Sequence, residues 1–227
     1  MGANYDEAYA RRYRTRDDEL DAVGSYLELV NWIGSLCDRF AQPIDALDLG
    51  CGTGRYFWGL RNVKTVTGLD ASEPMLAEAK TPTHADRIRA QRIVLVRGDL
   101  ASHDFARNSF DLVYSIGVLA EHVPLNRSLV TRVAGWLKPG GRFAFTTVDP
   151  QSPDVPKTTA RRIASAVLPI VPGDRGRRLH ERLMAGGMYG DARWIQSQLK
   201  GLFTIESLEQ YQSDVHLHGR CVARKGA

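Results

Sequence analysis

Short apolar runs alternate with segments of helical periodicity through the middle of the chain. This alternation is typical of a parallel sheet that is covered by helices on both faces. Gly, Asp or Ser follows each run closely, as expected where strands end in turns. The pattern predicts strands over 45–49, 65–69, 93–96, 110–114 and 142–148, and crossover helices over 54–61, 73–80 and 127–137.

The two flanks of this region continue the same architecture. Residues 19–40 carry apolar side chains at helical spacing, which predicts an amphipathic helix that packs on the sheet. After the fifth strand, 194–199 predicts another helix, and 203–208 and 215–223 predict a closing pair of strands. We therefore expect an α/β fold with a mainly parallel sheet.

Length and composition indicate one domain of 227 residues with a full core. No apolar run approaches the length of a membrane span, and residues 1–18 lack the apolar centre of a secretory signal. The three cysteines lie far apart, which argues against a disulfide framework or a structural zinc site. We expect a cytoplasmic protein.

The segment ALDLGCGTGRY, residues 46–56, places Gly50, Gly52 and Gly54 directly after the first predicted strand. Glycine lacks a Cβ, so a ligand can lie against the backbone amides of such a loop; a tight structural turn is the alternative. Asp70 ends the next strand, at the spacing where a carboxylate accepts hydrogen bonds from ribose hydroxyls. The order G-x-G-x-G differs from that of dinucleotide enzymes, so we expect a smaller nucleoside cofactor.

Five segments, in order, resemble motifs of the class I S-adenosylmethionine (SAM)-dependent methyltransferases: LDLGCGTG, VTGLDASEPMLAEAK, VRGDL, FDLVYSIGVLAEHVP and WLKPGGRFAF. The resemblance covers about 46–150. It implies SAM as cofactor, S-adenosylhomocysteine (SAH) as product, and a Rossmann-like seven-stranded sheet whose last strand is antiparallel. Together with the pattern above, the resemblance predicts a single domain over 1–227. Its parts are a helical cap over 1–40, a SAM-binding core over 41–150, a helical lid insertion over 151–190 that selects substrate, and a closing helix and strand pair over 191–227.

The resemblance also implies contacts to each part of the cofactor. The glycines would lie against its methionine part, Asp48 would help hold the ammonium, and Asp70 would hold the ribose. Met75 would wall the adenine and Asp99 would meet its exocyclic amine, although Asp99 is also a natural helix cap or turn former. The implied cofactor contacts are Asp48, Gly50, Gly52, Gly54, Asp70, Ala71, Ser72, Met75, Asp99, Leu100 and Ser115.

His122 is the candidate catalytic residue. Methyl transfer from a sulfonium is an in-line displacement, so positioning supplies most of the rate and a base is optional. His122 follows the fourth strand, where an imidazole could accept a proton from the acceptor; a capping or packing role is the alternative. The pair Glu121-His122 resembles that of quinone-biosynthesis O-methyltransferases, in which a Glu three residues earlier binds a divalent metal. Here that position is Val118, so no metal site is predicted.

Other candidate substrate contacts flank the core. Tyr5, Tyr9 and Tyr13 recur every four residues on one helix face, and in similar methyltransferases such a segment folds over the cofactor. Ordinary packing of an amphipathic helix is the alternative. Asp149 follows the fifth strand, where it could supply an oxygen ligand or form a turn beside Pro150.

Positive charge is concentrated in the predicted lid. Residues 151–200 contain nine Lys or Arg against four Asp or Glu. Arg175 and Arg178 there could bind an anionic acceptor, RNA phosphates or a lipid headgroup, or could belong to a solvated helix face. Apolar residues beside them are compatible with peripheral membrane contact.

A small-molecule acceptor is the leading prediction. The chain lacks the Asn- or Asp-Pro-Pro-aromatic signature of base amino-methylation after the fourth strand, and no cysteine is placed as a nucleophile, so nucleic acid is disfavoured. We expect methylation of an oxygen or nitrogen of an anionic or amphiphilic acceptor, with oxygen favoured because of His122. An RNA methyltransferase guided by the basic lid and a SAM-binding accessory protein without turnover remain the alternatives. The sequence leaves the oligomeric state open.

Overall fold

Seven strands form one sheet in the computed structural model, which describes residues 6–20, 23–153, 190–213 and 216–226. The strands are β1 Ile44–Leu49, β2 Val63–Asp70, β3 Arg92–Arg97, β4 Phe110–Ser115, β5 Leu137–Val148, β6 Phe203–Ser213 and β7 His216–Lys225. The helices of the described residues are α1 Glu7–Glu19, α2 Gly24–Cys37, α3 Glu73–Glu78, α4 Arg127–Trp136 and α5 Ala192–Leu199.

The strand order is β3-β2-β1-β4-β5-β7-β6. The first five strands pair in parallel, and β7 is antiparallel to both of its neighbours, β5 and β6. This arrangement confirms the predicted Rossmann-like sheet with an antiparallel last strand. The predicted lid lies almost entirely outside the described residues, which resume at Gly190.

The central strands β1 and β4 are buried on both faces, which explains why they are apolar runs in the sequence. Alternate residues of β1 point to opposite sides, so Ala46 belongs to a cluster with α2 while Leu47 belongs to a cluster with α4 and α5. Trp136 of α4 and Trp194 of α5 are buried in the second cluster.

Side-chain caps begin four of these helices. Asp6, Ser72, Asn126 and Asp191 each accept a hydrogen bond from the backbone N–H three residues later. The longest of the described helices, α2, has only 14 residues. No helix in the described ranges has the length and apolar character needed to cross a bilayer.

The crossover after β1 differs from the prediction. The predicted helix over 54–61 is wrong, because only Phe57–Gly59 forms a short 3₁₀ turn there. Tertiary packing explains the difference: a Cβ at Gly59 would lie 3.0 Å from the Val30 carbonyl oxygen, so this segment runs close against α2 instead of coiling above it.

Other boundaries also differ, including the end of β6, which extends to Ser213 instead of 208. The helix predicted over 19–40 begins only at Gly24, because α1 is a separate helix that ends at Glu19. Strand β5 begins at Leu137, five residues before the prediction, and a register shift opposite Phe110 and Leu112 accommodates the Pro-Gly-Gly segment. Proline and glycine are tolerated in a strand at a bulge, where regular pairing is interrupted.

The close approach of α2 to the β1 crossover predicts that Gly59→Ala is destabilising. The new Cβ would lie 2.9 Å from Val30 Cγ1, and we expect overpacking to lower the free energy of unfolding by about 1–3 kcal/mol. The matched control is Gly135→Ala in α4, where a Cβ meets nothing within 4 Å and helix propensity should add up to about 1 kcal/mol. Urea unfolding midpoints check both values, and equal effects of the two changes would contradict the packing argument.

Candidate functional site

A cleft of about 280 Å³ opens at the carboxyl ends of β1, β2 and β4. Strand β1 lies between β2 and β4, so the strand order reverses at this point, where open α/β sheets bind their ligands. The cleft brings together twelve residues predicted from the sequence: Tyr9, Tyr13, Asp48, Gly50, Gly52, Asp70, Ala71, Ser72, Met75, Asp99, Leu100 and His122.

Of the other predicted residues that the structure describes, none lines the cleft. The buried Ser115 hydroxyl donates to the Leu49 carbonyl at 2.8 Å, and a Cβ at Gly54 would come within 2.7 Å of the Phe57 ring. Asp149 accepts from the Gln151 N–H and the Gln210 side chain, each at 2.8 Å, which matches the turn alternative. Glu121 lies beside His122 just outside the lining. Tyr5, Arg175 and Arg178 fall outside the described residues.

The glycine loop, residues 50–54, needs glycine for two reasons. Gly50 and Gly52 have φ of +77° and +54°, in the left-handed region that other residues rarely adopt. A Cβ on Gly50 would also lie 2.6 Å from Val118 Cγ2. The segment that follows β4, residues 116–123 and here called the β4 loop, can therefore lie directly against the glycine loop.

Asp70 fixes this loop from the end of β2. Its Oδ2 accepts from the Gly52 N–H at 2.8 Å and its Oδ1 accepts from the Ser72 N–H at 2.9 Å. An ionised carboxylate has about four acceptor positions, so Asp70 can accept further hydrogen bonds from a pair of hydroxyls in the cleft.

Asp48 is a buried carboxyl on the cleft wall. Its side chain is 3% exposed, and Oδ2 has no hydrogen-bond partner among the described residues. Burial raises its pKa to about 8; the neighbouring Tyr114 hydroxyl acts in the opposite direction, and the charge of Asp70 adds to the increase. An unpartnered carboxyl of this kind favours a cationic ligand group.

The far end of the cleft is more apolar. Met75 and Leu100 are buried there, and the Ser72 hydroxyl accepts from the Met75 N–H at 3.3 Å as the cap of α3. Asp99 lines the cleft and also accepts from the Ala101 N–H at 2.8 Å. Asp99 therefore forms a turn, the alternative role predicted from the sequence, and it also lines the cleft.

Helix α1 lies over the cleft through an aromatic and charged contact. Tyr9 and Tyr13 stack with centroids 5.8 Å apart, and the Arg55 guanidinium lies 4.1 Å from the Tyr13 ring centroid. Arg55 pairs with the buried Asp17 at 2.9 Å. Sequence reasoning missed Asp17 and Arg55, although Asp17 follows Tyr13 by four residues on the same helix face.

His122 belongs to the β4 loop. The Val118 carbonyl accepts from the His122 N–H at 2.8 Å and from the Val123 N–H at 3.0 Å, which holds the loop in a tight turn. The imidazole is half exposed, and its Nε2 lies 3.6 Å from Glu121 Oε1. Within the described ranges, no group of three or more His, Cys, Asp or Glu residues is arranged to hold a metal ion.

The burial of Asp48 predicts a pH-dependent cost in stability. Because its folded pKa of about 8 exceeds the reference value of 3.8, the native state binds more protons than the unfolded chain between these values, and the free energy of unfolding falls as pH rises. We expect Asp48→Asn to be more stable than the wild type at the upper end of this range by about 1–3 kcal/mol. Urea unfolding across the range should show the gap closing at acidic pH, and parallel curves would contradict this.

Part of the described core matches a known protein family. Residues 47–145 match the family profile described as a methyltransferase domain. The ubiquinone biosynthesis O-methyltransferase of Pseudomonas syringae pv. tomato is 32% identical over 146 residues, which cover 63% of this chain and 60% of that relative. The chain thus spans about three fifths of the length of the curated relatives it matches.

Solved structures share the fold along most of the chain. An S-adenosylmethionine dependent methyltransferase from Mesorhizobium loti has a TM-score of 0.57 at 24% identity and covers 86% of this chain and 98% of its own. The N-methyltransferase NodS from Bradyrhizobium japonicum WM9, in complex with SAH, has a TM-score of 0.65 at 18% identity, with 97% and 98% covered. The described core thus contains a region that matches a methyltransferase domain, and the fold around its glycine-loop cleft is shared with solved SAM-dependent methyltransferases.

Proposed function

We propose that this chain transfers a methyl group from SAM to an oxygen of a small-molecule acceptor, with nitrogen as the other candidate atom. The observation that carries the proposal is the half-exposed imidazole of His122, on the wall of the cleft beside the glycine loop. The O-methyltransferase name of the 32% identical relative supports oxygen as the acceptor atom.

The cleft residues fit SAM by charge and shape. The buried, unpartnered Oδ2 of Asp48 suits an ammonium, and the remaining acceptor positions of Asp70 suit the ribose hydroxyls. Met75 and Leu100 offer an apolar surface for the adenine. The bound cofactor supplies an electrophilic methyl group on a sulfonium.

The chain's own contribution to the reaction is then positioning, exclusion of water and proton removal. Tyr9 and Tyr13 cover the cleft from α1, which limits the access of water. His122 accepts the hydroxyl proton of the acceptor as the oxygen attacks, and Glu121 at 3.6 Å lies close enough to stabilise the resulting imidazolium.

The proposed acceptor class comes from the composition of the chain. An anionic or amphiphilic acceptor follows from the basic composition of 151–200, most of which lies outside the described residues, and the cytoplasmic location stays a prediction from the sequence. Nothing among the described residues favours the RNA or accessory-protein alternatives. Incubation with SAM and pooled metabolites should release SAH, and release with bulk RNA alone would contradict a small-molecule acceptor.

The assignment of His122 predicts that His122→Ala lowers kcat for that acceptor by about 10²- to 10⁴-fold near neutral pH. Without the imidazole, the acceptor proton must leave to water, so part of the rate should return at higher pH. The dissociation constant for SAH should be unchanged, because His122 is not assigned to the cofactor. Turnover across about pH 6 to 9 and calorimetric SAH binding check these values.

The matched control is His84→Asn. His84 lies outside the cleft lining, and its φ of +51° is one that Asn tolerates. We expect this variant to keep wild-type turnover. If His122→Ala also keeps wild-type turnover across the whole pH range, His122 is not the base and positioning alone drives the reaction.

A further inference from the structure

The turn that follows β3, residues 99–103 and here called the β3 turn, carries two residues of the cleft lining, Asp99 and Leu100. Asp99 begins the turn: its Oδ1 accepts from the Ala101 N–H at 2.8 Å, and its carbonyl accepts from the His103 N–H at 2.6 Å. A single turn of this kind leaves its own last carbonyl groups without partners inside the turn. Its shape therefore depends on donors from another part of the molecule.

Arg132 of α4 supplies these donors. Its Nη2 donates to the Leu100 and Ala101 carbonyls at 2.8 and 2.9 Å, and its Nη1 donates to the His103 carbonyl at 2.6 Å. Hydrogen bonds from a charged donor are stronger than those between neutral groups, and a planar guanidinium fixes the directions of all three. This one side chain therefore holds the β3 turn on α4.

The guanidinium of Arg132 is itself fixed on α4. It lies over the ring of Trp136, one helical turn later, with 5.5 Å between the guanidinium carbon and the ring centroid. Trp136 is buried, and its Nε1 donates to the carboxylate of Asp104, the residue directly after the β3 turn. Arg132 therefore contacts a buried ring and the β3 turn at the same time.

The residues that Arg132 holds present two kinds of surface to a ligand, although Arg132 itself lies outside the cleft lining. Leu100 is a buried apolar side chain, and Asp99 is a carboxylate next to it. A carboxylate has about four acceptor positions, so Asp99 can accept from a ligand amine as well as from the Ala101 N–H. Adenine combines the matching features, a flat ring face and an exocyclic amine.

We infer that Arg132 is a positioning residue for the base of the cofactor. By holding the β3 turn, it places the Asp99 carboxylate beside the exocyclic amine and keeps Leu100 against the ring. The inference rests on the proposed placement of the adenine at Met75 and Leu100, and it is independent of His122 and of the acceptor. No residue of α4 is among the described residues that line the cleft, so base recognition depends on a helix outside it.

The test compares the calorimetric affinities of SAH and S-inosylhomocysteine, in which the base carries a carbonyl oxygen in place of the exocyclic amine. A site that hydrogen-bonds an N–H group rejects an analogue that lacks it. In the wild type we expect SAH to bind at least about tenfold more tightly. Arg132→Met keeps an unbranched side chain beside Trp136 and removes the three hydrogen bonds. We expect it to reduce the ratio of the two dissociation constants by about threefold or more.

Arg127→Met is the matched control on the same helix. Arg127 Nη1 donates to the carbonyls of Gln198 and Lys200, at the end of α5, at 2.7 Å each. This variant loses the same kind of hydrogen bond outside the cleft lining, so it should keep the wild-type ratio. Arg132→Gln keeps an amide donor for the β3 turn and should lower the ratio less than Arg132→Met. This milder variant carries the comparison if Arg132→Met does not fold.

Three results would overturn the inference. Equal weakening of both ligands by the changes at Arg132 would mean that this residue only stabilises the fold. An equal fall of the ratio in Arg127→Met would mean that base recognition responds to any loosening of α4. Equal affinities of the wild type for the two ligands would mean that the base does not meet Asp99, and that result alone would also contradict the proposed placement of the adenine. Since the ratio is taken within one protein, a general loss of stability cancels from it.

Discussion

The cleft depends on the turn that the chain makes directly after β1. The N–H groups of Gly50 and Cys51 donate to the Leu69 carbonyl at 2.8 and 3.0 Å, and the Gly52 N–H donates to the Asp70 carboxylate. These bonds tie the end of β1 to the end of β2, which lie at one edge because the strands are parallel and in register. The positive φ values that the turn demands limit it to glycine. The turn also lets the β4 loop lie directly against the glycine loop.

Two ionisable side chains flank the turn, and the charged form of each is costly to bury. Asp48 has no partner for Oδ2 among the described residues, and Arg55 is neutralised by Asp17, which comes from a distant helix. Buried charges of this kind contribute little to stability and can reduce it. Both side chains line the cleft, where a cationic ligand group would supply the partner that Asp48 Oδ2 lacks.

Much of the fold follows from the sequence because the signals are local. Strands buried on both faces are continuous apolar runs, and an acid at the end of such a run, like Asp70, reaches the cleft edge wherever the strand is parallel. The predicted elements are wrong where tertiary contacts determine the local structure. The segment that contains Gly59 runs against α2 and does not form the predicted helix.

The site residues show the same division. The sequence motifs identify four residues that line the cleft: Asp48, Gly50, Gly52 and Asp70. Gly54 also belongs to the glycine motif, but it packs on Phe57. The Ser115 hydroxyl donates to the Leu49 carbonyl instead of facing the cleft. Asp17 shares a helix face with Tyr13, but its pairing with Arg55 has no local signal, because this contact joins α1 to the glycine loop through folding alone. Composition and spacing do not reveal such a contact.

A crystal structure of this protein with SAH tests the central claim most directly. We expect the ribose hydroxyls to lie on the Asp70 carboxylate and the ammonium of SAH to lie beside the Asp48 carboxyl, beneath α1. SAH bound at another place, or bound in the cleft without contact to Asp70, would contradict it.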